Sequence, residues 1–68
     1  MIIVKSVGRG ILRATVRLET VEYGNGWTVG VEINGIMVHH PDKDLYLTEQ
    51  EALIAGDQVV DAMVPTLH

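Results

Sequence analysis

The chain is 68 residues long, 47% apolar, free of cysteine, and carries a net charge of −4. It is too apolar for a disordered segment, and its apolar stretches are far shorter than the ~20 residues needed to span a bilayer. With no disulfide and no thiolate metal site, packing or self-association must stabilise one small domain, of a size that buries only about 60% of its unfolded surface.

Ile2-Ile3-Val4 opens an apolar strand expected over about residues 2–7, and Gly8-Arg9-Gly10 reads as a turn. From there the pattern alternates over about residues 11–22. Leu12, Ala14, Val16 and Leu18 point to one side, and Arg13, Thr15, Arg17 and Glu19 to the other, as in a half-buried strand. Tyr23-Gly24-Asn25-Gly26 supplies a tight turn, whether its loop is Gly24-Asn25 alone or all four residues. Trp27, Val29, Val31 and Ile33 alternate with Thr28, Gly30 and Glu32 over about residues 27–33. Either loop pairs Glu22 with Trp27, Leu18 with Val31 and Val16 with Ile33 on the core side, and sets Arg17 opposite Glu32 on the other. A loop of Asn25-Gly26 would set apolar residues against polar ones. Asn34-Gly35 signals a type I′ turn into a strand over about residues 36–39, pairing Ile33 with Ile36 and Val31 with Val38.

Pro41 and the charged run Asp42-Lys43-Asp44 form a loop, and Leu45-Tyr46-Leu47 an extended lead-in. Thr48 and Glu51 stand at capping-box spacing, so a helix is expected over about residues 49–64, with Pro65 unable to continue it. Ala52, Gly56, Val59 and Met63 share a stripe flanked by Ala55 and Val60, opposite Gln50, Asp57 and Asp61. Ile54 projects on the polar side.

Charge is unevenly spread. The first 18 residues hold Lys5, Arg9, Arg13 and Arg17 and no acid, whereas the rest hold nine acids and Lys43. In a sheet protein this reads as a basic strand beside acidic neighbours. Arg9, Arg13 and Arg17 are the candidate polyanion contacts, Arg13 and Arg17 lying about 13 Å apart on one strand face. Sheet modules that bind nucleic acid usually add exposed stacking aromatics. This chain has no Phe, and Trp27 falls on the core side.

No catalytic constellation emerges. His39-His40-Pro41-Asp42 with Asp44 superficially suggests metal ligands, but adjacent residues of a strand face opposite ways. His68 is the last residue. Asp57 and Asp61 at i, i+4 read as a solvated helix face. Neither Gly8-Arg9-Gly10 nor Gly24-Asn25-Gly26 leads into a helix that could cradle phosphate. No metal or cofactor is expected. If an active site were assembled across subunits, His39, His40 and Asp42 would be its first members.

The residues Gly26-Trp27-Thr28-Val29 and Thr48-Glu49-Gln50-Glu51-Ala52 carry a family resemblance over roughly residues 11–64. A hairpin, a short loop and a terminal helix opened in this way resemble small bacterial ββ(β)α proteins. They are also similar to the N-terminal domain of HicB-type antitoxins. The resemblance implies the fold and an antitoxin-like regulatory role. That family usually has a proline–glycine loop before the helix, whereas His40-Pro41-Asp42-Lys43-Asp44 has the proline and no glycine.

The expected fold is therefore α+β: an antiparallel meander of three or four strands with one C-terminal helix on its apolar face. The expected role is a non-enzymatic protein-interaction module, homodimeric or larger, with Met37 and Ile54 as interface candidates. The alternative is nucleic-acid binding through the Arg13/Arg17 face. The N-terminus does not read as a signal peptide, so the expected compartment is the cytoplasm.

Overall fold

A computed structural model describes residues 1–42 and 44–64. The expected α+β architecture is present. Strands β1 (Ile2–Arg9), β2 (Leu12–Tyr23), β3 (Gly26–Ile33) and β4 (Ile36–His39) precede helix α1 (Glu49–Met63). The strands form one antiparallel sheet in the order β1-β2-β3-β4, and α1 packs mainly over β2 and β3. Among the described residues no helix is long and apolar enough to cross a membrane. The expected stop at Pro65, and also Lys43 and His68, lie outside the described residues.

Turn chemistry sets the hairpins. Asn34 (φ 53°) and Gly35 (φ 82°) both adopt the left-handed region, as a type I′ turn requires. The Asn34 side-chain oxygen also accepts from the Thr15 N–H (3.0 Å), while the Asn34 N–H donates to the Thr15 carbonyl (2.8 Å). Tyr23 pairs with Gly26, so the first alternating hairpin closes on Gly24-Asn25 alone. The first turn falls later than expected. Gly8 stays in the ladder opposite Arg13, Arg9 pairs with Leu12, and the turn moves to Gly10-Ile11.

The β2–β3 register follows the alternation as expected: Val16 faces Ile33, Leu18 faces Val31 and Arg17 faces Glu32. The β3–β4 register does so only at first. Ile33 pairs with Ile36 and Glu32 with Met37, but a bulge then sets Val31 opposite His39 rather than Val38. Val38 is the extra residue, without a partner in the ladder, and its side chain still packs on the core.

Beyond β4 the edge of β3 is continued by Tyr46. Trp27 and Tyr46 exchange two backbone hydrogen bonds of 2.7 Å, which turns the lead-in into a one-residue extension of the sheet. Trp27 is half-buried against the core, as its alternation predicts.

The core is small: Val16, Leu18, Val29, Val31, Ala52 and Val60. Each fully buried Val or Leu contributes about 1.5–3 kcal/mol. On α1 the buried positions are Ala52, Gly56 and Val60. This i, i+4, i+8 line is inclined to the helix axis, which suits a helix lying on a twisted sheet. Val60 thereby replaces the expected Val59 and Met63 at the centre of the stripe. Val59 is half-buried, and Met63 is 55% exposed.

The helix start behaves as half a capping box. The Glu51 N–H donates to the Thr48 hydroxyl (3.1 Å), but the Glu51 carboxylate accepts from the Leu47 N–H (3.3 Å) rather than from Thr48. A second tie crosses layers. The buried Thr20 hydroxyl donates to Glu49 (2.7 Å), whose carboxylate also lies 3.7 Å from the N-terminal ammonium.

Gly56 sets the helix–sheet distance. A Cβ there would lie 3.0 Å from a Val29 methyl and 3.1 Å from a Leu18 methyl, both on fully buried side chains. Gly56→Val is expected to lose about 2–3 kcal/mol of stability from overpacking. Urea unfolding followed by circular dichroism measures it, and an unchanged midpoint would show that the two layers can separate at little cost.

Candidate interaction surface

The hydrogen-bond alternation determines which backbone groups of β1 remain open. Thr20 donates its N–H to the Met1 carbonyl (2.9 Å), and Met1 lies one pair beyond the Ile2–Glu19 pair. Bonded and non-bonded pairs alternate along an antiparallel ladder. Odd-numbered residues of β1 therefore bond to β2, and Ile2, Val4, Ser6 and Gly8 turn their N–H and C=O groups outward. Among the described residues nothing pairs with that side.

The two sheet edges differ in kind. β4 is four residues long and bulged, and β3 beyond it is closed by Tyr46, features that protect an edge. β1 is eight residues long with no proline and no acidic residue. Its side chains away from α1 include Ile2 (57% exposed) and Val4 (62% exposed). Lys5, the residue on this edge best suited to discourage pairing, is on the helix side, where its ammonium donates to Asp57 (2.8 Å). Asp57, expected as part of a solvated helix face, thus holds β1 to α1.

The sheet face away from α1 carries a row that crosses all four strands: Val4, Arg17, Glu32 and Met37. Arg17 donates to Glu32 (3.0 Å) and to Glu19 (3.1 Å). The hydrogen bond to Glu32, reinforced by the charge of Glu19, holds the guanidinium above its ordinary pKa, with desolvation opposing. These groups, with Val21, Gly30, Met37 and Pro41, line a shallow cavity of about 90 Å³. Pro41 lies over Gly30, 3.5 Å from where a Cβ would stand.

The structure separates residues that the sequence had grouped. Met37 (42% exposed) is on the sheet face away from α1, whereas Ile54 (50% exposed) is on α1 itself. They lie in opposite layers, and one flat contact cannot cover both. Arg13 and Arg17 share the sheet face away from α1, as expected, but Arg9 pairs with Leu12 on the helix side, and Arg17 is engaged by two carboxylates. His39 is half-buried and His40 exposed, and among the described residues no three His, Cys, Asp or Glu side chains gather as metal ligands. Thr28 Oγ1 and His39 Nε2 are buried without a hydrogen-bond partner.

Sequence reasoning missed the Lys5–Asp57 pair and the outward exposure of Ile2 and Val4. The alternation of Ile2, Val4 and Ser6 against Ile3, Lys5 and Val7 carried the second signal, but it is masked by the apolar run at Ile2-Ile3-Val4. Comparison of the chain with protein-family models, curated proteins and solved structures gave no match.

Because the Arg17–Glu32 pair is half in solvent, its coupling is expected to depend on salt. A double-mutant cycle of Arg17→Met and Glu32→Gln should show coupling at low ionic strength that fades near 1 M salt, where the Debye length is about 3 Å. Coupling that resists salt would mean the pair is held more rigidly than its exposure implies.

Proposed function

We propose that this chain is a non-enzymatic interaction module that works by strand addition at the β1 edge, and that it associates with itself. The observation that carries this reading is the eight-residue open edge of β1, flanked by exposed Ile2 and Val4. An open apolar edge of this kind is a template for another strand. The small core points the same way, since so short a chain gains stability from any surface it buries by association. The lack of cysteine suits a reducing compartment such as the cytoplasm. Nucleic-acid binding is the weaker reading, because Glu19 and Glu32 neutralise the charge of Arg17.

Light scattering is expected to give a mass above that of one 7.5 kDa chain at both low and high salt. Val4→Pro deletes an N–H that faces the open edge and bonds to nothing within the sheet, a position where proline is tolerated. It should leave the circular dichroism unchanged and shift the mass to the monomer. Val4→Lys, which keeps the N–H but charges the edge, should do the same. A monomeric parent chain, or oligomers of unaltered strength in both variants, would overturn the reading.

A further inference from the structure

We propose that the strand added at β1 is the β1 of a second copy, antiparallel and centred on Lys5, so that two sheets join into one of eight strands with both helices on the same side. The inference rests on the strand-addition reading and names its partner and register.

Hydrogen bonding limits the choices. The free N–H and C=O groups belong to the even-numbered residues, so only registers that pair even with even are bonded. A two-fold axis then passes through one residue or another of β1. Centred on Lys5, the pairing sets Val4 against Ser6 and Ile2 against Gly8 in bonded pairs, using every open group of the strand. On the helix side it sets Ile3 of one copy against Val7 of the other, and both residues already pack at the margin of the core. Centred on Val4, the pairing would set Ile3 against Lys5. Centred on Ser6, it would set Ile3 against Arg9 and Lys5 against Val7. Shifts beyond these shorten the overlap. The Lys5-centred register alone uses every open group of β1 while setting Ile3 against Val7 on the helix side.

That register places the two Lys5 residues directly opposite each other. Like charges so placed repel, and the structure holds the compensation. Each ammonium sits 2.8 Å from the Asp57 carboxylate of its own helix, and the centre of the joint carries two positive and two negative charges. Arg9, which has no ion pair among the described residues, arrives opposite Met1 of the other copy. The ammonium of Met1 lies 3.7 Å from Glu49, so a carboxylate is at hand there too.

The absence of cysteine makes the test direct, because one introduced thiol can join only to its own copy. Opposed residues of a non-hydrogen-bonded pair, about 4.5 Å apart at Cα, suit a disulfide. Lys5→Cys is expected to convert to a covalent dimer under mild oxidation, faster than Val4→Cys, Ser6→Cys or the helix-surface control Asp61→Cys. Without oxidation, Asp57→Lys should weaken dimerisation at least about tenfold by leaving four cations at the joint, and Lys5→Glu/Asp57→Lys should restore it. Fastest cross-linking at Val4 or Ser6 overturns the register but leaves strand addition standing. A dimer by mass in which none of the three β1 thiols cross-links overturns both, and so does a monomer.

Discussion

The approach of α1 to the sheet at Gly56 governs the rest of the molecule. With one helix among the described residues to cover one face, the core can close only if the two layers come near enough for a few aliphatic side chains to fill the gap. Gly56 and Ala52 provide that approach, and Leu18 and Val29 fill the space a larger side chain would take. The cost is a glycine inside a helix, about 1 kcal/mol of propensity relative to alanine. Two ties to the sheet help offset it: Thr20 with Glu49 at the helix start, and Lys5 with Asp57 at its middle.

A helix seated so closely over β2 and β3 covers little else. It spans about 22 Å at 1.5 Å per residue, while the molecule extends 40 Å in its longest direction. Leu12, Ile36 and Ile11 are consequently exposed where the first and third turns overhang it. On the opposite face the sheet is covered by polar pairing rather than by a second layer. Arg17 bridges Glu19 and Glu32, and Pro41 folds over Gly30. That cover stops at β1, where Ile2 and Val4 meet solvent beside an unpaired backbone.

The two edges of the sheet differ sharply in how they are covered. A sheet of this size has two edges to protect. The β4 side is short and bulged, and Tyr46 bonds to β3 beyond it. The β1 side is long and regular, and its one well-placed lysine is drawn back to the helix. A protein adapted to remain single would be expected to point that charge at an incoming strand. On the proposed strand addition, the ion pair removes the deterrent while keeping a charge that constrains how a strand can align.

Much of the fold could be read directly from residues. The alternation from Leu12 to Leu18 and from Trp27 to Ile33 determined the β2–β3 register and with it the Arg17–Glu32 pair. Asn34-Gly35 determined a type I′ turn, and Thr48 the start of α1. These features are local, or follow from a local turn by counting along two strands. Tertiary structure decided the rest. The bulge at Val38 breaks the alternation that counting from Asn34-Gly35 implies, and it leaves Val38 packed on the core. The rotation of the helix stripe from Met63 to Val60 depends on the twist of the sheet beneath it. Met37 and Ile54 look alike as apolar residues in polar settings, and only the placement of β4 and α1 in different layers separates them. Lys5 and Asp57 are 52 positions apart, and no periodicity links them. Strand and turn patterns are encoded within short segments, whereas the meeting of distant side chains, and the edge left open, are set only when the layers close.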